Sequence, residues 1–345
     1  MLFLLYINDL PLSSNFFCNI FADVTALLIS DTDPTNLEKK TYIELNSVFN
    51  WLQKNKLTLN LSKTKTILFN NHNRLVTLNI NCNNVPLEHC LQQCSVNSTK
   101  YLGTIVNSNL TWKEQIASVE TKVAQGCYAL FKFQPISDVK ILWKVYFSLI
   151  YPHLQYAILT WGKVPATYLA HLKALHNRSI RCICKISRAA HIPMLDLYHS
   201  CKIFQINQIY EYELGKFMYK IVHNCFPSFI SNCYSHINER HNYPTRIATN
   251  NNLATTSSKK SLTRRSVQYT GPRLWNNIPK DIRNKSFLVF AQNKKNICWI
   301  NLCCNISIYI YRKIIVSIFA CVLQFCLMST IHLILLVDAA NFSLN

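Results

Sequence analysis

One carboxylate in this chain stands where a carboxylate can do chemistry. Asp23 sits at the turn of Asn19-Ile20-Phe21-Ala22-Asp23-Val24-Thr25-Ala26-Leu27-Leu28. Phe16, Phe17, Ile20 and Phe21 precede that turn, and Leu27, Leu28 and Ile29 follow it. Such flanks pair as two strands of a buried sheet and hold the turn rigidly. A rigid, exposed Asp suits a divalent metal ion that clamps phosphate oxygens. Val24, the next residue, has no lone pair to add. Lys63, in Ser62-Lys63-Thr64-Lys65-Thr66, by itself reads as a solvated lysine in a turn. Arg178, Arg181 and Lys185 step by three and four residues and so share one helix face. That face suits a duplex backbone or plain solvent. Cys182, Cys184, His191, His199 and Cys201 form the tightest cluster of zinc-ligand types. Its spacing matches no compact finger, and two of its cysteines fall inside a helical run.

The totals narrow the partners. The chain has 345 residues, half of them hydrophobic, and a formal charge of +20. It is long enough for two or three domains, and its field favours polyanions, either nucleic acid or an anionic membrane surface. Its five glycines, at 103, 126, 162, 215 and 271, build no phosphate-cradling loop, which argues against a nucleotide-binding P-loop or dinucleotide site. No small-molecule substrate is indicated. The fifteen cysteines are scattered with no Cys-x-x-Cys pair. The apolar start ends at Asn8-Asp9 without a basic leader, unlike a secretory signal. Reduced thiols in an intracellular, non-secreted protein are the expectation.

The elements that must position these residues follow in order. After the hairpin over 16–30, Asp31-Thr32-Asp33-Pro34 marks a helix start. Leu37, Ile43, Leu45, Val48, Phe49 and Leu52 give an amphipathic helix ending near Asn55. Short strands are expected at 57–61, 76–80 and 100–106. Gly103, within the last, permits a close backbone approach or a bulge. From Trp112 the chain turns helical. Inward stripes are Ile116, Val119, Val123, Ala124, Cys127, Leu130 and Phe131, then Leu142, Val145, Tyr146, Leu149 and Ile150. A third helix opens at Pro165, and a fourth covers 203–224. Residues 227–262 have loop composition. Between Arg240 and Lys295 stand twelve Lys or Arg and one acid, Asp281. That bias makes the segment, with Arg264, Arg265 and Arg273, the best nucleic-acid candidate on charge. Tyr243, Tyr269 and Trp275 are interleaved there, to stack on bases or to anchor a small core. Residues 314–337 run 24 positions without a charge, between Arg312-Lys313 and Asp338. A bilayer-spanning helix with the bulk of the chain on the cytosolic side is one reading. A buried core helix, or sequence never selected for structure, are the others.

Several stretches, in the same order, resemble the reverse transcriptase of non-LTR, LINE-like retrotransposons. They are Tyr6-Ile7-Asn8-Asp9-Leu10-Pro11; Phe21-Ala22-Asp23-Val24, where the family reads Phe-Ala-Asp-Asp; and Trp51…Asn55-Lys56-Leu57…Leu59-Asn60…Lys63-Thr64…Leu68-Phe69. Tyr101-Leu102-Gly103 followed by Leu110-Thr111-Trp112, and the distal Gly271-Pro272-x-Leu274-Trp275-Asn276-x-x-Pro279, complete the set. The resemblance covers residues 2 to about 300. It implies an α+β fold: a partial polymerase palm of antiparallel sheet with helix over 1–107, then a helical thumb and helical extension over 108–226. A basic, partly loop-like region over 227–300 and a hydrophobic tail over 301–345 would complete the chain. The family is an RNA-directed DNA polymerase using two Mg2+ ions. The resemblance makes Asp23 a remnant metal ligand and places Lys63 near the incoming nucleotide. Tyr101 and Gly103 fall in the primer-grip hairpin, and RNA, DNA or an RNA–DNA hybrid is the implied partner. The family's fingers and its other catalytic Asp would precede residue 1. The expectation is therefore a truncated, catalytically inactive remnant that binds no Mg2+ productively and retains at most nucleic-acid binding. The alternative is a non-enzymatic remnant tethered to a membrane by 314–337. A third possibility is a decayed element whose product is unstable, its palm sheet lacking a central strand and exposing edges that favour aggregation.

Overall fold

The computed structural model describes residues 5–21, 24–57, 63–69, 96–187, 190–239, 252–287, 289–290 and 331–338. The protein is mixed α and β, mainly helical, with two small antiparallel sheets. It divides into two compact units, residues 1–111 with 325–345, and residues 112–324.

In the first unit β1 (Phe17–Phe21) and β2 (Val24–Asp31) form an antiparallel hairpin, in register from Phe17 with Leu28 to Phe21 with Val24. Ala22 and Asp23 lie outside the described residues. β2 buries Ala26, Leu27 and Leu28 in succession, so both of its faces are covered. Asp33 then accepts a hydrogen bond from the Asn36 backbone N–H, and Pro34 stands in the first helical turn. These fix the start of α1 (Pro34–Lys54). Its stripe of Leu37, Leu45, Val48 and Leu52 packs with Ile7 and Leu27 in one core. Lys56 closes the helix in the left-handed region at φ 52°. Its N–H reaches Gln53 O, and the Leu57 N–H reaches Leu52 O, the two bonds of a Schellman cap.

β3 (Lys65–Phe69) follows, while the strands expected at 57–61 and 76–80 fall wholly or mostly outside the described residues. β4 (Ser98–Tyr101) and β5 (Thr104–Asn107) make a separate hairpin. Its turn is Leu102-Gly103, with φ 45° and 87°. Two positive φ values in succession are what a two-residue turn needs to match strand twist. Gly103 therefore makes a tight turn rather than a bulge.

The tail corrects the sequence reading. A helix over 314–337 does not hold at its C-terminal end, where Ile331–Asp338 is a strand, β6. It lies inside the sheet, whose order is β1-β2-β6-β3, antiparallel to both neighbours. A short unbroken apolar run fits a strand as well as a helix, and hydropathy alone cannot tell the two apart. Residues 314–330 lie outside the described residues. Among the described residues no helix is long and apolar enough to cross a membrane.

The second unit is helical: α2 (Lys113–Phe133), α3 (Val139–Leu149), α4 (Ala166–Ile183), α5 (Met194–Ser200), α6 (Ile206–Val222) and α7 (Val267–Asn276), with several one-turn helices between. α2 packs along α4, and α6 carries α7. The expected inward residues of α6, Ile206, Ile209, Leu214, Phe217 and Ile221, are all buried.

At the centre of this unit His176 of α4 is fully buried. The Tyr198 hydroxyl donates to Asn177 Oδ1 at 2.8 Å and lies 3.1 Å from His176 Nδ1. Having spent its proton, it accepts from Nδ1–H. Nε2 then accepts from the Tyr146 hydroxyl at 2.8 Å. The ring is satisfied as a neutral imidazole, and burial pushes its pKa down to about 3.

Candidate nucleic-acid interface

The hairpin end of the first sheet was the expected metal site. Asp23 lies outside the described residues, so its carboxylate has no placement here. Three other acids of this unit, Asp9, Asp31 and Asp33, hold structural posts. Asp9 accepts from the Trp51 indole at 3.2 Å, and Asp33 caps α1. Asp31 takes the Lys40 ammonium at 2.6 Å and the Asp33 backbone N–H. Those bonds hold its carboxyl low, at about 2. Asp338, which sequence reasoning did not single out, is the register partner of Val24 and so pairs with the residue after Asp23. Among the described residues no group of three or more His, Cys, Asp or Glu converges to hold a metal ion. Lys63 is exposed in the turn leading into β3. The cysteine–histidine cluster reduces to one contact, Cys184 Sγ to Cys201 Sγ at 3.2 Å.

The expected primer-grip residues are placed by packing. Tyr101 is buried beneath its hairpin, and its hydroxyl accepts from Asn19 Nδ2 at 3.2 Å. Its ring therefore has no face for a base. Burial drives the Tyr101 phenol well above its usual range.

The basic stripe on α4 comes apart. Arg178 is exposed on the helix. Arg181 turns back instead and donates to Ala190 O at 3.2 Å and Ile192 O at 3.0 Å, holding the following loop. Lys185 lies past the helix end at φ 54°, in a Schellman cap formed by Lys185 N–H to Cys182 O and Ile186 N–H to Arg181 O. The three do not share one helical face, because α4 stops at Ile183.

The distal motif is a packing device. Gly271 lies where a Cβ would come within 2.5 Å of Met218 Sδ, so the glycine leaves room for the Met218 side chain between α7 and α6. Trp275 is buried against Tyr219 and Phe290. Asn276 clamps Leu253, taking its N–H and donating to its carbonyl, both at 2.9 Å. Arg273 donates to Tyr269 O at 2.8 Å and Thr256 O at 2.7 Å, with its guanidinium 3.5 Å over the Tyr269 ring. Arg264 is exposed and donates from Nε to Ser258 O at 2.8 Å, while Arg265 is half-buried on the same short helix. Trp275 thus anchors a small core, while the half-buried Tyr269 ring is covered by Arg273. Tyr243 lies outside the described residues.

Comparison with known proteins finds no family model, no curated protein and no solved structure that matches this chain. The chemistry must be read from the surface itself.

One stretch of exposed side chains combines what nucleic acid needs. At the C-terminal end of α2 and the turn into α3, Tyr128 is 64 % exposed, Phe131 54 % and Ile136 79 %. Phe131 was expected to face inward with Leu130. Lys132 lies 5.5 Å from the Tyr128 ring centroid, and Lys140 and Lys144 are exposed on α3. From residue 121 to 149 there are four lysines and one acid, Asp138. Exposed rings beside lysines supply stacking faces and phosphate partners together. Periodicity could not expose this patch, because Phe131 sits beside the buried stripe and counts as apolar in any helical wheel.

Proposed function

We propose that this chain derives from a non-LTR reverse transcriptase and binds nucleic acid without polymerising it. In this reading the hairpin, α1 and β3 are palm, and α2 to α6 are thumb and extension. The observation that carries the binding is the exposure of Tyr128, Phe131, Lys132, Lys140 and Lys144, with Lys132 beside the Tyr128 ring. RNA, DNA or an RNA–DNA hybrid is the ligand, held by phosphate contacts and base stacking.

The Mg2+ chemistry of the parent family does not fit the described donors. Two divalent ions need several converging oxygens. Asp9, Asp31 and Asp33 are spent on structure. Val24 stands where the family has its second carboxylate. No catalytic step is assigned, and Mg2+-dependent primer extension by the full chain is expected to equal that of Asp23→Ala.

The binding test uses the full chain, since β6 lies inside the sheet. Lys132→Gln, Lys140→Gln and Lys144→Gln together should flatten the log affinity–log salt slope by roughly 2–3 for a hybrid, at about 0.9 for each phosphate left without its lysine. Tyr128→Ala with Phe131→Ala should weaken binding and leave that slope unchanged. If both sets bind like the parent, this surface is not the interface.

A further inference from the structure

We propose that the gap between β2 and β3 is a strand-binding site whose ligand is the chain's own C-terminal segment, Ile331–Asp338. β2, α1 and β3 follow one another in sequence, and β2 and β3 both run antiparallel to β6. They are therefore parallel to each other with one strand's width between them, a split β-α-β unit. That width is filled from the far end of the sequence, beyond 291–330, which lie outside the described residues.

The site is built for its ligand. β6 pairs with all eight residues of β2, from Val24 with Asp338 to Asp31 with Ile331, and with all five of β3. Among the described strands β3 has no other partner in the sheet. Withdrawal of β6 would leave two rows of unpaired backbone groups and detach β3 from the sheet. Leu28, Ile334 and Ile67 form one cross-strand row, and all three are buried. The ligand chemistry follows: an extended, mainly apolar peptide, running antiparallel to both walls and ending in an acid at the hairpin end. Main-chain pairing supplies affinity, and the buried row selects for apolar side chains. The tail thus completes the sheet in cis, which assigns it a role distinct from a membrane anchor. The proposal does not depend on the polymerase ancestry.

The test begins with a protease site introduced into 291–330 of the full chain. After cleavage the 331–345 fragment should co-elute with the body on size exclusion. Excess labelled peptide of residues 331–338, with lysines appended for solubility, should exchange into the site. The same peptide carrying Ile334→Asp should bind on the order of a hundredfold more weakly, because a lone carboxylate enters a buried row. Fragment loss accompanied by precipitation of the body also supports the site. Fragment loss with amide protection of β2 and β3 unchanged overturns it. So does transfer of the fragment to phosphatidylcholine vesicles while the body stays folded. Uncut Ile334→Asp chain supplies a second readout: exchange at Ile67 and Phe69, whose N–H groups face β6, should accelerate, and unchanged protection there counts against the proposal.

Discussion

Acid should loosen the helical unit through His176. The ring is held neutral by burial between Tyr146 and Tyr198, with Asn177 completing the chain of hydrogen bonds. Its folded pKa is pushed down to about 3, against 6.5 for the ordinary side chain. Between those values the unfolded chain binds a proton that the folded chain refuses, so stability falls as pH falls through 6.5 and is intact above it. At pH 5 the folded ring stays neutral and the unfolded one is mostly charged, a difference of about 2 kcal/mol relative to neutral pH. His153, lowered by burial and by Lys122, adds to the slope with the same sign. The assay is urea unfolding between pH 7 and 5, a window in which histidines are the main titrating side chains. Fluorescence of Trp143 and Trp161 reports the helical unit. His176→Asn should cost about 1–3 kcal/mol at pH 7 by stranding a buried tyrosine hydroxyl, and should remove most of the pH dependence. Ring nitrogen shifts should show His176 with Nδ1 protonated and no titration down to pH 5. A folded-state midpoint near 6.5, or stability that is flat from pH 7 to 5, would refute the reasoning.

Three further outcomes follow from packing and caps. Lys202 closes α5 at φ 52°, with its N–H on His199 O and the Ile203 N–H on Tyr198 O; Lys202→Gly should stabilise by about 1 kcal/mol in thermal or urea unfolding. Gly271→Ala should cost about 1–3 kcal/mol by driving a methyl into Met218, and a double-mutant cycle with Met218→Ala should recover part of it. Under diamide, Cys184 and Cys201 should be the first pair to link, since their sulfurs already lie 3.2 Å apart. Burial, followed by the Cys201 contact, pushes the Cys184 thiol up to about 12, so linkage should accelerate with rising pH; peptide mapping without reductant reads both.

What the sequence made legible was local. The Phe17–Asp31 hairpin showed in its flanking apolar runs, and α1 in Asp33-Pro34 and its stripe of leucines, because a turn residue or a cap acts on its own neighbours. The end of α4 stayed hidden because the chain uses Lys185, where glycine would have announced the cap, so the basic stripe seemed to continue. Tyr101 and Arg273 carried the right chemistry for nucleic acid and are committed to the fold, one by burial and one by two carbonyls and a ring. β6 was invisible as a strand because a central strand has no alternation, and no local signal links Val24 to Asp338. The exposed Tyr128 and Phe131 surface needed three dimensions, since only packing separates Phe131 from Leu130.

The most direct test of the account is equilibrium binding of the full chain to an RNA–DNA hybrid across a salt gradient, with heparin as competitor. The account predicts hybrid binding that survives matched heparin, falls with salt along a linear log–log slope, and loses part of that slope when Lys132, Lys140 and Lys144 are neutralised. Binding that heparin abolishes, with a slope indifferent to those lysines, would contradict it: the protein would then be a basic chain without a nucleic-acid site.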